Sequence, residues 1–259
     1  MLGGLRRGLA RAFALLAVSL IAVPAGAAGF TCEPSPLLGG SAGLEFAAGW
    51  RQGSGPLRIL AIGSSSTEGI GATSKERSYP ARLDALLEQG LPGRSVEIVN
   101  AGIGGETAPQ TLKRLEAALG LARYDLVIWQ VGTNDAVTGG DLATFRALLA
   151  SGIAAAERDD VPIAILDPQF YPGIKETARY RSYVEAIAQI AAAREVPVLS
   201  RYAAMTGWYR RDAEGFMAAL AGDRFHMSDA GYACLAQDIA RALLGDGPAV
   251  RLTAAATVR

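Results

Sequence analysis

Four short blocks hold most of the side chains able to do chemistry. They are Gly63-Ser64-Ser65-Ser66-Thr67-Glu68-Gly69, Asn100-Ala101-Gly102-Ile103-Gly104-Gly105-Glu106-Thr107, Gly132-Thr133-Asn134-Asp135 and Asp223-Arg224-Phe225-His226. Together they offer hydroxyls, glycines that let backbone approach closely, an amide donor, and a carboxylate shortly before an imidazole. Those are the parts for nucleophilic acyl transfer: a nucleophile, a base, a group that orients the base, and donors for an oxyanion. His226 is the chain's one histidine, and a lone histidine is by itself more often structural than catalytic. Asp223 changes that weight, because its spacing along a tight loop lets a carboxylate accept from the ring nitrogen that faces away from a serine. Plainer readings stand beside each of these. Asp223 is also a good turn residue, Asn134 a good turn or helix cap, and for Asp135 the cap is the preferred reading. Gly104-Gly105 reads as a tight turn feeding a helix at Thr107, and such a turn can also aim a backbone N–H at an oxyanion.

The elements that must position these blocks alternate. Apolar runs of strand length are Leu57–Ile62, Val96–Val99, Leu126–Val131, Ile163–Leu166 and Val196–Leu199. Helical patterns lie between them. Tyr79 to Leu87 has Ser78 as the expected N-cap and Pro80 in the first turn. Leu112, Leu115 and Leu119 share one face; Phe145, Leu148 or Leu149 and Ile153 another; Tyr180, Val184, Ile187 and Ala191 a third. Ser228 caps a last helix with Leu235, Ile239 and Leu243 on its apolar face, stopped at Gly245. This alternation predicts a mostly parallel five-stranded sheet with helices on both faces. Function in such sheets gathers beyond the carboxyl ends of the strands. Three of the four blocks follow directly on predicted strands, and the fourth sits in a late loop.

The chain of 259 residues is 50% hydrophobic and 19% charged, a composition that builds a folded core. Its formal net charge is zero, and no basic run points to nucleic acid. The N-terminus reads as an export signal: Arg6, Arg7 and Arg11 precede the apolar run Ala12 to Val23, followed by Pro24-Ala25-Gly26-Ala27-Ala28. The apolar run is too short to span a bilayer comfortably. The residues around Arg6-Arg7 fit twin-arginine export poorly. The expected organisation is a signal peptide at 1–27, an extended lead-in rich in Gly, Pro and Ser at 28–56, a catalytic domain at 57–247 and a tail at 248–259. The mature protein is then periplasmic or secreted, with no integral membrane segment. Both cysteines, Cys32 and Cys234, survive cleavage, and an even count in an exported chain predicts a disulfide. Two cysteines and one histidine make a poor zinc set, so no metal is expected.

The four blocks, in this order, resemble the SGNH (GDSL-type) hydrolase superfamily, from about Ile59 to Tyr232. Aligned on Gly63, Thr67 and Gly69, the family's nucleophile falls on Ser65. The second block supplies Gly105 before Glu106 and Thr107. The third places the oxyanion amide on Asn134, and Asp-x-x-His gives Asp223 and His226. Ser64 departs from the pattern, since the family usually has Asp there; Ser64 is expected to bond within the loop, and Ser66 to turn away toward the body of the domain. The resemblance implies a flavodoxin-like three-layer α/β/α sandwich without cofactor or metal. It also implies ester hydrolysis through an acyl-enzyme, by a triad of Ser65, Asp223 and His226. The oxyanion would be held by the Ser65 and Gly105 N–H groups and the Asn134 side chain.

Other readings compete. Gly39-Gly40-Ser41-Ala42-Gly43 matches the G-x-S-x-G nucleophile elbow, but that elbow needs a strand before it, and Thr31-Cys32-Glu33-Pro34-Ser35-Pro36 cannot be a central strand. A Ser/Thr-rich loop after the first strand could instead cradle the phosphate of a flavin. The same triad could also pass an acyl group to an alcohol in place of water. The expected substrate is a glycan O-acyl (acetyl) ester or a lipid ester. Asp167 to Gly173, with Met205, Trp208, Tyr209 and Phe216, are candidates for pocket wall, although such residues are more often core.

Overall fold

The computed structural model describes residues 30, 49–50, 53 and 55–244. The expected signal peptide, nearly all of the lead-in, Cys32, the Gly39–Gly43 motif and the C-terminal tail lie outside the described residues.

The apolar runs form five strands: β1 Leu57–Gly63, β2 Val96–Gly102, β3 Leu126–Gln130, β4 Ile163–Leu166 and β5 Val198–Leu199. They pair in the order β2-β1-β3-β4-β5, every pairing parallel. The helices are α1 Ser65–Glu68, α2 Tyr79–Gly90, α3 Ala108–Leu121, α4 Thr133–Thr138, α5 Leu142–Arg158, α6 Thr177–Ala193, α7 Arg201–Arg211 and α8 Asp229–Leu244. Short 3-10 turns occupy Lys75–Arg77 and Gly215–Ala219.

β1 is apolar almost throughout because the sheet is covered on both faces. Its side chains alternate between two cores. Leu57, Ile59 and Ala61 pack with Leu83 and Leu87 of α2, Trp208 of α7, and Leu235, Ile239 and Leu243 of α8. Leu60 and Ile62 pack with Leu115 of α3, Leu149 and Ile153 of α5, and Ile187 of α6. The sandwich is therefore the expected three-layer α/β/α fold.

The chain leaves β1 for β2 on one side and returns past it to β3 on the other. That reversal opens a crevice at the carboxyl ends of β1 and β3, where ligands bind in open sheets of this kind. Gly63 and Gly102 end their strands side by side in the β1–β2 register. A Cβ on Gly102 would lie 2.0 Å from the Glu68 backbone nitrogen, so only glycine lets α1 sit this close to β2.

Local details differ from the sequence reading. Ser78 does occupy the N-cap of α2, but its hydroxyl donates to the Lys75 carbonyl and leaves the helix uncapped by a side chain. β5 is shorter than Val196–Leu199, since Pro197 has no N–H for a ladder. Ser228 caps α8 as expected, its hydroxyl accepting from the Gly231 N–H at 3.3 Å. Met205, Trp208 and Phe216 are core residues, not pocket wall.

Candidate active site

Ser65 is the first residue of α1, immediately beyond β1, so its N–H has no acceptor within that helix. Its Oγ lies 3.0 Å from Nε2 of His226. On the far side of the ring, Nδ1 lies 2.6 Å from Oδ2 of Asp223. A carboxylate can only accept, so Nδ1 carries the proton and Nε2 is left to accept from the serine hydroxyl. Asp223 is fixed in turn by the Phe225 and His226 backbone N–H groups, both donating to Oδ1 at 3.0 Å. Partial burial opposes its ionisation, but the His226 ring and those two N–H groups outweigh it and hold the carboxyl below the ordinary carboxylate value.

No named strand carries the Asp223–His226 loop. An isolated antiparallel bridge from Leu220 to Met227 closes it, and the Ala221 N–H donates to the His226 carbonyl at 2.8 Å. At Gly71, a Cβ would meet the Met227 carbonyl at 2.5 Å and the His226 Cβ at 2.9 Å, so a glycine lets the segment after α1 press against this loop.

The second and third blocks face the same crevice. Gly105 takes a φ of 80°, the left-handed turn that suits glycine, and the chain then enters α3 at Thr107. The Glu68 carboxylate accepts from the Gly104 N–H at 2.6 Å and ties this turn to α1. One Nδ2 hydrogen of Asn134 is used on the Glu106 carbonyl at 2.7 Å, which leaves its second hydrogen for another acceptor. Arg114 braces the turn by pairing with Glu106 and donating to the carbonyls of Ala101 and Gly63. Asp135 turns away from this group. It is buried, and both its oxygens accept from the Ala108 N–H at the start of α3. It caps a neighbouring helix, and burial, opposed by those hydrogen bonds, raises its pKa.

The remaining hydroxyls of the serine run point inward. Ser64 N–H, Ser64 Oγ and Thr67 Oγ1 all donate to Oε1 of Gln130 on β3, at 2.8, 3.1 and 3.2 Å. The partner of Ser64 is thus a neighbouring strand and not the loop itself, as the sequence had suggested. Ser66 turns into the body of the domain, as expected, and donates to Oε1 of Gln169 at 2.8 Å. A phosphate cradle needs such hydroxyls free, and these are committed. Among the described residues no cluster of three His, Cys, Asp or Glu side chains is placed to hold a metal, and no helix is long and apolar enough to cross a membrane.

Sequence reasoning took Asp167 to Gly173 for pocket wall and missed Arg201, so the layer behind these groups went unread. Arg201 is fully buried, donates to the Asp167 carbonyl at 3.0 and 3.1 Å, and reaches Thr133 Oγ1 at 3.4 Å. Asp167, also buried, accepts from Ser200 Oγ and the Tyr202 N–H, each at 2.8 Å. Tyr171 stacks edge-on against Phe225, which packs edge-on against His226, both at 4.8 Å between centroids.

A serine, an imidazole and a carboxylate thus stand in line at the carboxyl edge of a parallel α/β sandwich. The model of the Non-GDSL lipase-like family matches residues 31–246, and the chain belongs to that family. An arylesterase of Vibrio mimicus is 36% identical over 83 residues, which is 32% of this chain and 40% of the relative. Esterase TesA of Pseudomonas aeruginosa is 27% identical over 135 residues, which is 52% of this chain and 63% of the relative. The matches thus span less than two thirds of either relative. The crystal structure of a lipase/acylhydrolase from Enterococcus faecalis superposes with a TM-score of 0.62 at 25% identity, covering 76% of this chain and all of that one. The resemblance to SGNH (GDSL-type) hydrolases holds in fold and family. Ser64 still stands where the usual motif has its aspartate.

Proposed function

We propose that the protein is a serine carboxylic ester hydrolase working through an acyl-enzyme, with Ser65 as nucleophile, His226 as base and Asp223 as the group that orients it. The observation that carries this is the chain of contacts from Ser65 Oγ through the His226 ring to Asp223, at 3.0 and 2.6 Å. In the first half-reaction, the Ser65 proton moves to Nε2 as Oγ attacks the ester carbonyl carbon. The carbonyl oxygen becomes an oxyanion, met by the Ser65 and Gly105 N–H groups and the free Asn134 amide hydrogen. Collapse breaks the bond to the alcohol oxygen, which leaves with the proton from Nε2. In the second half-reaction, Nε2 takes a proton from water, hydroxide attacks the acyl carbon, and the acid departs as Ser65 recovers its hydrogen. Losing one oxyanion donor from such a site costs about 2.7–4 kcal/mol of barrier.

The substrate we propose is a glycan O-acyl ester or a lipid ester met outside the cytoplasm, after removal of the leader near Ala27 or Ala28. Apolar side chains suit an acyl group at the rim: exposed Ile70, Ile103 and Val137 follow or precede Ser65, Gly105 and Asn134 by a few residues. The relatives named as esterases support the reaction class. The test is turnover across short and long p-nitrophenyl esters, acetylated glycans and a lysophospholipid, with labelling by a fluorophosphonate. Ser65→Ala loses both turnover and label while stability changes little. Ser66→Ala keeps the label. Labelled Ser65→Ala protein would reject the assignment, and acyl transfer to an added alcohol outpacing hydrolysis would make the protein an acyltransferase.

A further inference from the structure

Gln169 lies just past β4, and its side chain is fully buried. Its Oε1 accepts from the Ser66 hydroxyl at 2.8 Å, and its Nε2 donates to the Phe225 carbonyl at 2.8 Å. Ser66 directly follows Ser65, and Phe225 directly precedes His226. One amide thus reaches both loops of the serine–histidine pair, across 103 residues on one side and 56 on the other. Its orientation is dictated by chemistry. The Phe225 carbonyl can only accept, so the amide nitrogen must face it. The amide oxygen then faces Ser66, whose hydroxyl is left to donate. The segment behind is held as well: the Tyr180 hydroxyl donates to the Gln169 carbonyl at 2.6 Å, and Arg201 donates to the carbonyl of Asp167.

We infer that Gln169 is a positioning residue, a strut that sets the separation of the Ser65 and His226 loops. This rests on the proposed roles of Ser65 and His226. The need for a strut follows from the Asp223–His226 loop, which no named strand supports. Misplacement by about 1 Å in a site of this kind costs on the order of 100-fold in rate. Gln169 bonds neither to Ser65 nor to the oxyanion donors, so its loss acts on the chemical step and not on substrate binding. Glutamine meets both demands because it donates at one end and accepts at the other. Leucine does neither. Ionised glutamate presents only acceptors, and would set one against the Phe225 carbonyl, whereas its protonated form restores the donor.

The experiment compares the full chain with Gln169→Leu, Gln169→Glu, Ser66→Ala and the Ser66→Ala/Gln169→Leu double variant. It measures kcat and KM on a p-nitrophenyl ester and the rate of fluorophosphonate labelling, with near-UV circular dichroism to establish folding. Gln169→Leu is expected to lose about 10- to 100-fold in kcat and in labelling rate, with KM within about twofold. Ser66→Ala shows a smaller loss of the same kind. The double variant matches Gln169→Leu, because both changes cut the same link. Activity of Gln169→Glu relative to wild type rises as pH is lowered and the glutamate gains its proton. Wild-type rates in folded Gln169→Leu, losses that multiply in the double variant, or a change confined to KM would each overturn the strut. If Gln169→Leu does not fold, Ser66→Ala and the pH dependence of Gln169→Glu decide: wild-type kcat in the first together with a flat ratio in the second overturns it. A wild-type protein that takes no label at Ser65 fails the proposed function and the strut with it, whereas a labelled wild type beside an unimpaired Gln169→Leu fails the strut alone.

Discussion

The Ser64 backbone N–H donates to Oε1 of Gln130 at 2.8 Å, and the Ser64 hydroxyl donates to the same oxygen at 3.1 Å. A strand residue thereby anchors the residue before the proposed nucleophile, in the place where the usual motif has an aspartate. Ser64→Ala removes one of the two bonds and keeps the N–H contact. It is expected to cost about 0.5–1.5 kcal/mol of stability and to keep fluorophosphonate labelling. Gln130→Leu strands the buried Ser64 N–H and two hydroxyls at once. Its cost is expected to exceed that of Ser64→Ala, at about 1–3 kcal/mol for the backbone N–H alone. Urea unfolding measures both, and equal midpoints would show that Gln130 does not anchor the loop.

Asp223→Asn is expected to keep the fold and lower kcat by about 10⁴-fold, because the amide oxygen takes the place of Oδ1 before the Phe225 and His226 N–H groups, and the amide nitrogen then donates to Nδ1 and leaves the ring proton on Nε2, the wrong tautomer. The folded carboxyl lies below its unfolded value, so its stabilising contribution is present above the unfolded pKa and is lost only as pH falls through the folded one. At neutral pH the orienting charge is therefore fully in place. Full turnover in Asp223→Asn would remove that residue from the triad.

Asp167 has the opposite sign. Burial pushes its carboxyl up to about 6, against the Tyr202 N–H, the Ser200 hydroxyl and Arg201. An acid whose folded pKa lies above its unfolded one stabilises most below the unfolded value, and that contribution is lost as pH rises through about 6. The loss amounts to roughly 3 kcal/mol between pH 4 and 7. Asp167→Asn carries no such loss, and its two side-chain groups can still meet the Tyr202 N–H and Ser200 Oγ. Denaturant titration at pH 4.5 and 7.5 should show the variant gaining on wild type as pH rises, and parallel curves would refute this.

Cys234 is fully buried on α8, and its expected partner Cys32 lies outside the described residues. A bond between them would close nearly the whole mature chain, worth about 4–5 kcal/mol in the chain-entropy account. Unreduced, denatured protein from an exporting host should contain no titratable thiol. Two thiols would end the pairing.

The strands were legible because a sheet covered on both faces needs unbroken apolar runs, and the blocks were legible because glycines and serines cluster where three of those runs stop, while Asp-x-x-His stands out in a late loop around the one histidine. The supporting groups were not. Gln130, Gln169 and Arg201 carry letters typical of surfaces, yet all three are buried, and only the tertiary structure brings their partners near. Their signal was position: Gln130 ends a strand, and Gln169 lies three residues beyond one. α4 and α7 escaped notice because one is only six residues long and the other carries a charged residue, Arg201, on its buried side. The inward turn of Ser66 was expected, but its partner could not be read from a segment 103 residues away.

The isolated bridge between Leu220 and Met227 has a consequence for heat. Ser65, Gly105 and Asn134 stand within a few residues of the ends of β1, β2 and β3. His226 rides on a loop closed by one bridge and a few hydrogen bonds, a unit able to open at a lower free-energy cost than global melting. Warming should therefore inactivate the protein reversibly while the sheet is still intact, and cooling should bring the imidazole back.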